Sequence, residues 1–284
     1  MNVLVLGATG MLGSAVFRLL SEKREWRVFG TIRYIGDKSL FNSENHDRLL
    51  VGVDAENFDS IEQAYKISKP NIVINCIGLI KQLSDSDDPL LAIPINALLP
   101  HKLAKLCDVI DARLIHISTD CVFSGDRGMY KESDLPDARD LYGLTKFLGE
   151  VGYKNTVTLR TSIIGPELKG SHGLLEWFLA QNEVCFGFTR AIFSGVPTIT
   201  LAKIIRDIFI LRTDLYGVYQ IASKPISKFN LLSLISTVYG KSINIVPEDK
   251  LVINRSLDST KFKLQTGCAV PEWTELIKTM YQFG

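Results

Sequence analysis

The apolar run Val3-Leu4-Val5-Leu6 passes directly into Gly7-Ala8-Thr9-Gly10-Met11-Leu12-Gly13 and then into an amphipathic segment. A strand, a glycine turn and a helix start in that order permit few folds. The strand must lie in a sheet, with the helix folded back over it. Gly7 allows the tight turn, Gly10 lets the backbone come close to a bound phosphate, and Gly13 lets the helix lie against the strand. The unpaired N–H groups and dipole of the helix start favour an anion there. The turn therefore suits the pyrophosphate of a dinucleotide. Its spacing is G-x-x-G-x-x-G and not G-x-G-x-x-G.

The alternation continues. Apolar runs at 2–6, 27–32, 49–53, 71–75, 113–117 and 156–160 are separated by segments of helical period at 11–23, 58–68, about 90–108 and from about 140. Continuous apolar strands are buried on both faces, and helices between them impose parallel pairing. The expected class is α/β, a Rossmann-type doubly wound parallel sheet with a smaller C-terminal substrate-binding cap. The pattern loosens after Gly165. Residues 1–165 are therefore assigned to a dinucleotide-binding domain and 166–284 mainly to a substrate-binding domain. Helices are expected at 173–182, 198–212 and 228–239, and a strand at 217–222. The stretch 195–222 is a candidate to rejoin the main sheet. Residues 33–47, 78–90 and 124–139 read as loops, where binding residues concentrate.

A chain of 284 residues can bury a large core, in one extended domain or two lobes. A net charge of +1 argues against nucleic acid or an acidic membrane as a partner. No window of about 20 apolar residues is expected to cross a membrane, and the N-terminus lacks the pattern of a signal peptide. The cysteines Cys76, Cys107, Cys121, Cys185 and Cys268 are scattered and form no C-x-x-C. They fit reduced thiols in a cytoplasm and argue against a disulfide framework or a zinc site. The histidines His46, His101, His116 and His172 show no ligand spacing, so no metal is expected. His116 lies inside an apolar strand and reads as a satisfied core residue.

The second strand ends in Thr31-Ile32-Arg33, with no acid before Asp37. An acid at this place binds the ribose 2′-hydroxyl of NAD, whereas an arginine suits the 2′-phosphate of NADP. Arg33 therefore favours NADP(H), with NAD(H) as the alternative. One charge-assisted hydrogen bond contributes about 1.5–3 kcal/mol, on the order of ten- to a hundredfold in affinity. Asp54, after the third strand, is placed to accept from an adenine amino group or to cap its loop.

Tyr142 and Lys146 form Y-x-x-x-K at the start of a predicted helix, which puts both side chains on one face. A free tyrosine has a pKa of about 10, a poor match for proton transfer at neutral pH. An ammonium within about 4–6 Å lowers such a value by roughly 1–3. The pair then suits proton exchange with a carbonyl or alcohol oxygen as hydride moves. Thr119, 23 residues upstream and just after the fifth strand, can hold that oxygen.

In order along the chain, the glycine turn, Asn75 after the fourth strand, Thr119 and Y-x-x-x-K resemble the extended short-chain dehydrogenase/reductase superfamily. A closer resemblance is to the dTDP-4-dehydrorhamnose reductase family. It rests on STDCVFSGDRGMYKESDLPDARDLYGLTKFLGE, LRTSIIG and RSLDSTKFKLQTGCAVPEWTELI, and is loosest over 166–250. The resemblance implies reduction of the 4-keto group of a nucleotide-activated deoxysugar with NAD(P)H, serving surface polysaccharide synthesis. It implies Thr119, Tyr142 and Lys146 as the catalytic trio. It also puts Met11, Leu12, Asn75, Cys76, Lys146 and Ser162 on cofactor-contacting positions. Arg255, Asp258 and Trp273 stand where the family has comparable residues.

The chain departs from the family in two places. Cys121 stands where a tyrosine is frequent, and Lys81-Gln82 differs from the rhamnose pattern. The second departure points to another sugar nucleotide, such as a UDP-linked N-acetylated 4-ketohexose. A 4,6-dehydratase would need glutamate at the place of Cys121, and Glu132 lies too far along the loop. A 4-epimerase with tightly held NAD uses the same trio, but Arg33 argues against it. The intact trio also argues against a regulatory nucleotide-binding subunit with weak catalysis. Arg190 is the candidate for the substrate diphosphate, and Lys81 and Asp120 for the sugar. Helices 91–107 and 140–153 offer a face for a homodimer.

Overall fold

The apolar runs assemble into one parallel sheet, seen in a computed structural model that describes residues 1–80 and 87–284. Its first part comprises β1 (Asn2–Leu6), α1 (Met11–Ser21), β2 (Arg27–Ile32), β3 (Leu49–Val51), α2 (Phe58–Ser68), β4 (Ile72–Asn75), α3 (Pro89–Ala92), α4 (Leu99–Val109), β5 (Arg113–Thr119), α5 (Leu141–Leu148) and β6 (Thr156–Thr161). There follow β7 (Ile163–Ile164), α6 (Leu174–Ala180), β8 (Val184–Phe188), β9 (Ala191–Phe193), β10 (Val196–Pro197), α7 (Thr198–Ile204), β11 (Gly217–Gln220), β12 (Ile226–Ser227), α8 (Lys228–Tyr239), β13 (Asn244–Glu248), β14 (Ile253–Asn254), α9 (Thr260–Thr266) and α10 (Trp273–Phe283). The seven strands run in the order β11-β6-β5-β4-β1-β2-β3, and every neighbouring pair is parallel. The winding reverses between β1 and β4. Such a switch point leaves a crevice at the carboxyl ends of the strands.

Strand alternation explains why the runs are continuously apolar. Val3 and Val5 pack with Phe17, Leu20, Ile199 and Phe209 on one face. Leu4 and Leu6 pack with Ile61, Leu103, Cys107 and Leu114 on the other. α1 and α7 cover the first face, and α2 and α4 the second. β11 joins the sheet at its edge beside β6. A separate cluster of Leu175, Phe178, Leu231, Ile235, Trp273, Leu276 and Met280 knits α6, α8 and α10 into the cap. Two small sheets, β13-β8 and β12-β9-β14, complete it.

Three local expectations change. The helix expected at about 90–108 is interrupted by a π-helical turn at Ile93–Leu98, flanked by α3 and α4. Pro94 and Pro100 lack the N–H that a regular ladder needs, and the wider turn accommodates them. α7 likewise runs into a π-helical turn at Ile205–Phe209. Finally, the combined helical run Pro89–Val109 has 21 residues and contains an 18-residue window of mean hydropathy 1.2, long and apolar enough to cross a membrane, contrary to expectation. Half of it is buried within the fold, because Leu99, Leu103 and Cys107 pack on the sheet.

The seat of α1 on β1 depends on Gly13, where a Cβ would stand 2.0 Å from the Gly7 carbonyl oxygen. Gly7 itself has φ +78°, a conformation that favours glycine. Gly13→Val is therefore expected to cost at least about 1–3 kcal/mol in urea denaturation. Gly10→Ala, whose nearest neighbour would be 3.5 Å away, should cost less than about 1 kcal/mol. Equal, small losses would contradict this account of the turn.

Candidate active site

The carboxyl edge of the sheet faces the cap across a cleft of about 610 Å³. Gly10, Met11 and Leu12 line one end, where the helix α1 opens without a side-chain cap. Its unpaired N–H groups are a donor set for phosphate. Thr119, Asp120, Tyr142 and Lys146 line the middle, with Cys76 and Ser162 beside them. Gly7 and Gly13 build the turn and do not line the cleft.

β5 delivers Thr119 at its last position, and a tight turn, Asp120–Val122, follows. The Thr119 hydroxyl oxygen accepts the Cys121 N–H at 3.1 Å, and the hydroxyl donates to Asp120 Oδ1 at 3.2 Å. α5 starts under the Asp140 carboxylate, which accepts the Gly143 N–H at 2.8 Å. One helical turn separates Tyr142 from Lys146. The Lys146 ammonium donates to the Ile117 carbonyl at 2.7 Å.

Burial sets the proton affinities here. It raises the Tyr142 phenol above its ordinary value; Cys121 raises it further, and a hydrogen bond with Thr119 pulls it down. The net shift is upward, against the acidification by the lysine expected from the sequence. In the protein alone burial wins, and the phenol keeps its proton at neutral pH. Burial brings the Lys146 ammonium down to about 8, against the upward pull of Glu150 and Cys76. The Cys76 thiol is pushed up to about 12 by burial. Burial also raises Asp120, which Arg255 and its hydrogen bonds draw down.

Other expected residues lie elsewhere. Asn75 is fully buried and does not line the cleft. Its amide meets His116 Nδ1 at 3.1 Å and accepts the Ile77 N–H at 3.1 Å. His116 is only half satisfied, since its Nε2 has no hydrogen-bond partner among the described residues. Arg33 and Asp54 stand apart from the cleft lining and face each other at 3.9 Å, with side chains 53% and 37% exposed. Arg190 is exposed and outside the lining. Among the described residues, the cations lining the cleft from 166–284 are Lys169, Lys228, which opens α8, and Arg255, which follows β14. Burial lowers Lys228, and Asp120 and Cys121 hold it up. Arg255 Nε donates to the Phe123 carbonyl at 2.8 Å. Lys81 lies outside the described residues. Among those described, no group of three or more His, Cys, Asp or Glu is suited to a metal.

Sequence reading passed over several residues. Glu150 forms a buried ion pair with Arg160, Nη2 to Oε2 at 2.7 Å. Its place four residues after Lys146 was the only available signal. Asn96, in the first π-helical turn, accepts the Leu79 N–H at 2.9 Å and donates to the Leu79 carbonyl at 3.3 Å. It thereby pins the segment after β4 that lines the cleft. Glu132, weighed as a dehydratase acid, instead accepts the Gln220 N–H of β11 at 2.9 Å. An ion pair of Lys169 with Asp37 ties the loop before α6 to the segment after β2.

A family model described as the RmlD substrate binding domain matches residues 1–174. A probable low-salt glycan biosynthesis reductase of Haloferax volcanii is 32% identical over 151 residues, 53% of this chain and 48% of that protein. The methionine adenosyltransferase 2 subunit beta of Xenopus laevis is 32% identical over 150 residues, 52% of this chain and 41% of that one. The chain thus matches less than half the length of these two. A dTDP-4-dehydrorhamnose reductase of Aggregatibacter actinomycetemcomitans is 24% identical over 100% of this chain and 99% of its own. Among solved structures, a dTDP-4-dehydrorhamnose reductase of Bacillus anthracis in complex with NADP superposes with a TM-score of 0.81. It is 22% identical, and the match covers 100% of this chain and 99% of that one.

Holding Lys146 charged opposes folding. Its value is about 8 in the folded protein and 10.5 ordinarily. Between these the unfolded chain binds more protons, so stability rises with pH across that window. The cost is full below about pH 8. Lys146→Met is expected to stabilise the protein at pH 7 by on the order of 1–3 kcal/mol in urea denaturation, and by little near pH 10.5. An equal loss at both pH values would contradict it.

Proposed function

The chain belongs to the RmlD substrate binding domain family, and from that premise we propose that it reduces the 4-keto group of a nucleotide-linked sugar with NADPH. The observation that carries the reading is the meeting of Thr119, Tyr142 and Lys146 in one cleft with the glycine turn. The reductase names of two relatives support the sugar-nucleotide class. The product class is a deoxysugar for surface polysaccharide. Reduced thiols and NADPH both fit a cytoplasmic location.

The chain's residues fit the cofactor. The start of α1 would hold its diphosphate, Lys146, Cys76 and Ser162 its nicotinamide half, and Arg33 its 2′-phosphate, with Asp54 near the adenine. When bound, NADPH supplies a hydride. Thr119 orients the substrate oxygen. Tyr142 retains its phenolic proton because burial raises its pKa. It is therefore poised to donate, and the oxygen that gains negative charge at C4 is basic enough to take that proton. Lys146, mostly protonated below about pH 8, stabilises the phenolate left behind.

On the cap side, Lys228 and Arg255 suit the substrate diphosphate, in place of Arg190. Asp120 is suited to a sugar hydroxyl. The first π-helical turn and α5 leave Ile93, Leu98, Leu144, Phe147 and Leu148 exposed. Such a face suits a second copy of the chain.

The 32% identity to a methionine adenosyltransferase subunit favours a second reading, a nucleotide-binding subunit that acts through a partner.

NADPH oxidation should be followed with a panel of dTDP-, UDP- and GDP-linked 4-ketosugars. Turnover is expected with at least one member, and Tyr142→Phe should lower it by about 10²–10⁴-fold with cofactor binding nearly unchanged. Lys228→Met should raise KM for that sugar, while Arg190→Ala should not. Cofactor binding without oxidation of any member would favour the second reading; release of an epimer without added cofactor would favour an epimerase. In a binding titration, Arg33→Ser should weaken NADPH by about ten- to a hundredfold and leave NADH unchanged. Equal weakening of both would remove the 2′-phosphate role. Analytical ultracentrifugation should find a dimer that Phe147→Glu dissociates; a monomeric native protein would remove that surface from the reading.

A further inference from the structure

Glu150 follows Lys146 by four residues, just past the end of α5. Its side chain is 5% exposed and that of Arg160 4%. The carboxylate takes three hydrogen bonds of 2.7 Å, two from the Arg160 guanidinium and one from the Ser118 hydroxyl. Ser118 stands between Ile117, whose carbonyl receives the Lys146 ammonium, and Thr119. The ion pair and the ammonium are thus anchored on adjacent residues of β5. A buried ion pair is weak evidence for stability, because desolvation offsets the Coulombic gain. Stability alone does not account for its position beside the trio.

We infer that Glu150 is a positioning residue for the Lys146 ammonium: clamped by Arg160 and Ser118, its carboxylate keeps the lysine charged and directed at the end of β5. The inference rests on the reductase reading, in which Lys146 is the cation of the trio.

Among the described residues, Glu150 and Cys76 act on Lys146, and Tyr142, His116 and Asp120 share its surroundings. Cys76, after β4, is neutral at pH 7 because burial raises it. Tyr142, on the same helix, is neutral for the same reason. His116, on β5, is neutral because burial carries it well below its ordinary value. Of the two carboxylates, Glu150 acts on Lys146, while Asp120 is drawn down by Arg255. Glu150 is the largest influence that opposes burial at Lys146. The Arg160 guanidinium also lies 5.2 Å from the ring centre of Phe123, whose carbonyl accepts from Arg255. The clamp is therefore next in sequence to Thr119 through Ser118, and packs on Phe123, whose carbonyl holds Arg255.

The test is a lysine NMR titration of the full chain without cofactor or substrate, with the Lys146 signal assigned through Lys146→Met. The native midpoint is expected at about pH 8. Glu150→Gln should move it down by at least about one pH unit, and Glu150→Asp, which keeps the charge, should restore most of the difference. The alkaline limb of kcat/KM should move with the midpoint. Should Glu150→Gln fail to fold with Arg160 left unpaired, the double variant Glu150→Gln/Arg160→Gln removes both charges and should show the same downward movement. An unmoved midpoint in the folded variant would overturn the inference and leave Glu150 a purely structural role. Because the titration needs no turnover, failure of the reductase reading would appear separately, as a moved midpoint in a protein that oxidises no NADPH.

Discussion

A missing methyl group at Gly13 lets α1 lie directly on the turn that leaves β1, and the site's position depends on that contact. The start of α1 then stands over the sheet edge between β1 and β4, where the winding reverses. Parallel strands all end on this edge. β4, β5 and β6 therefore deliver the segments that carry Cys76, Thr119 and Ser162 to one line beside the helix start. The cap closes the other side with α8 and the segment after β14. The helix start, the group of Thr119, Tyr142 and Lys146, and the cap cations are brought together by one winding pattern.

The same edge concentrates polar groups that an α/β core ordinarily excludes. Asn75, His116, Lys146 and Arg160 are all buried there. Each partial satisfaction is local: Asn75 with His116, Lys146 with Ile117, Arg160 with Glu150. Burial moves the tyrosine up and the lysine down. Both shifts oppose ionisation, yet at neutral pH they leave different states, a neutral phenol beside a charged ammonium. That combination suits donation of a proton to a reduced carbonyl. The residual costs, including an unpaired His116 Nε2, fit the general pattern that stability is given up where chemistry is done.

The sheet was legible because its information is local. Continuous runs such as Val28–Ile32 announce strands buried on both faces, and α2 and α8 begin and end where their periodicity does. The π-helical turns at 93–98 and 205–209 were not legible, since a bulge adds a residue without disturbing composition. At the site, Tyr142 and Lys146 share a face at helical spacing and could be read together. Arg160 and Glu150 are joined across a strand, and Lys228 and Arg255 reach the cleft from elements far along the chain. No spacing rule links such residues. Arg190 illustrates the converse: a loop arginine beside a strand has phosphate chemistry in sequence, but the fold leaves it outside the cleft.

The central claim is that hydride reaches the sugar C4 from a cofactor held at the glycine turn. The most direct measurement uses NADPH deuterated at the transferring position with the responsive member of the ketosugar panel, and locates the label in the product by mass spectrometry and NMR. A product one mass unit heavier, with deuterium at C4 and formed far more slowly by Tyr142→Phe, is predicted. Unlabelled product, label elsewhere in the sugar, or no product with any member despite bound cofactor would contradict the account.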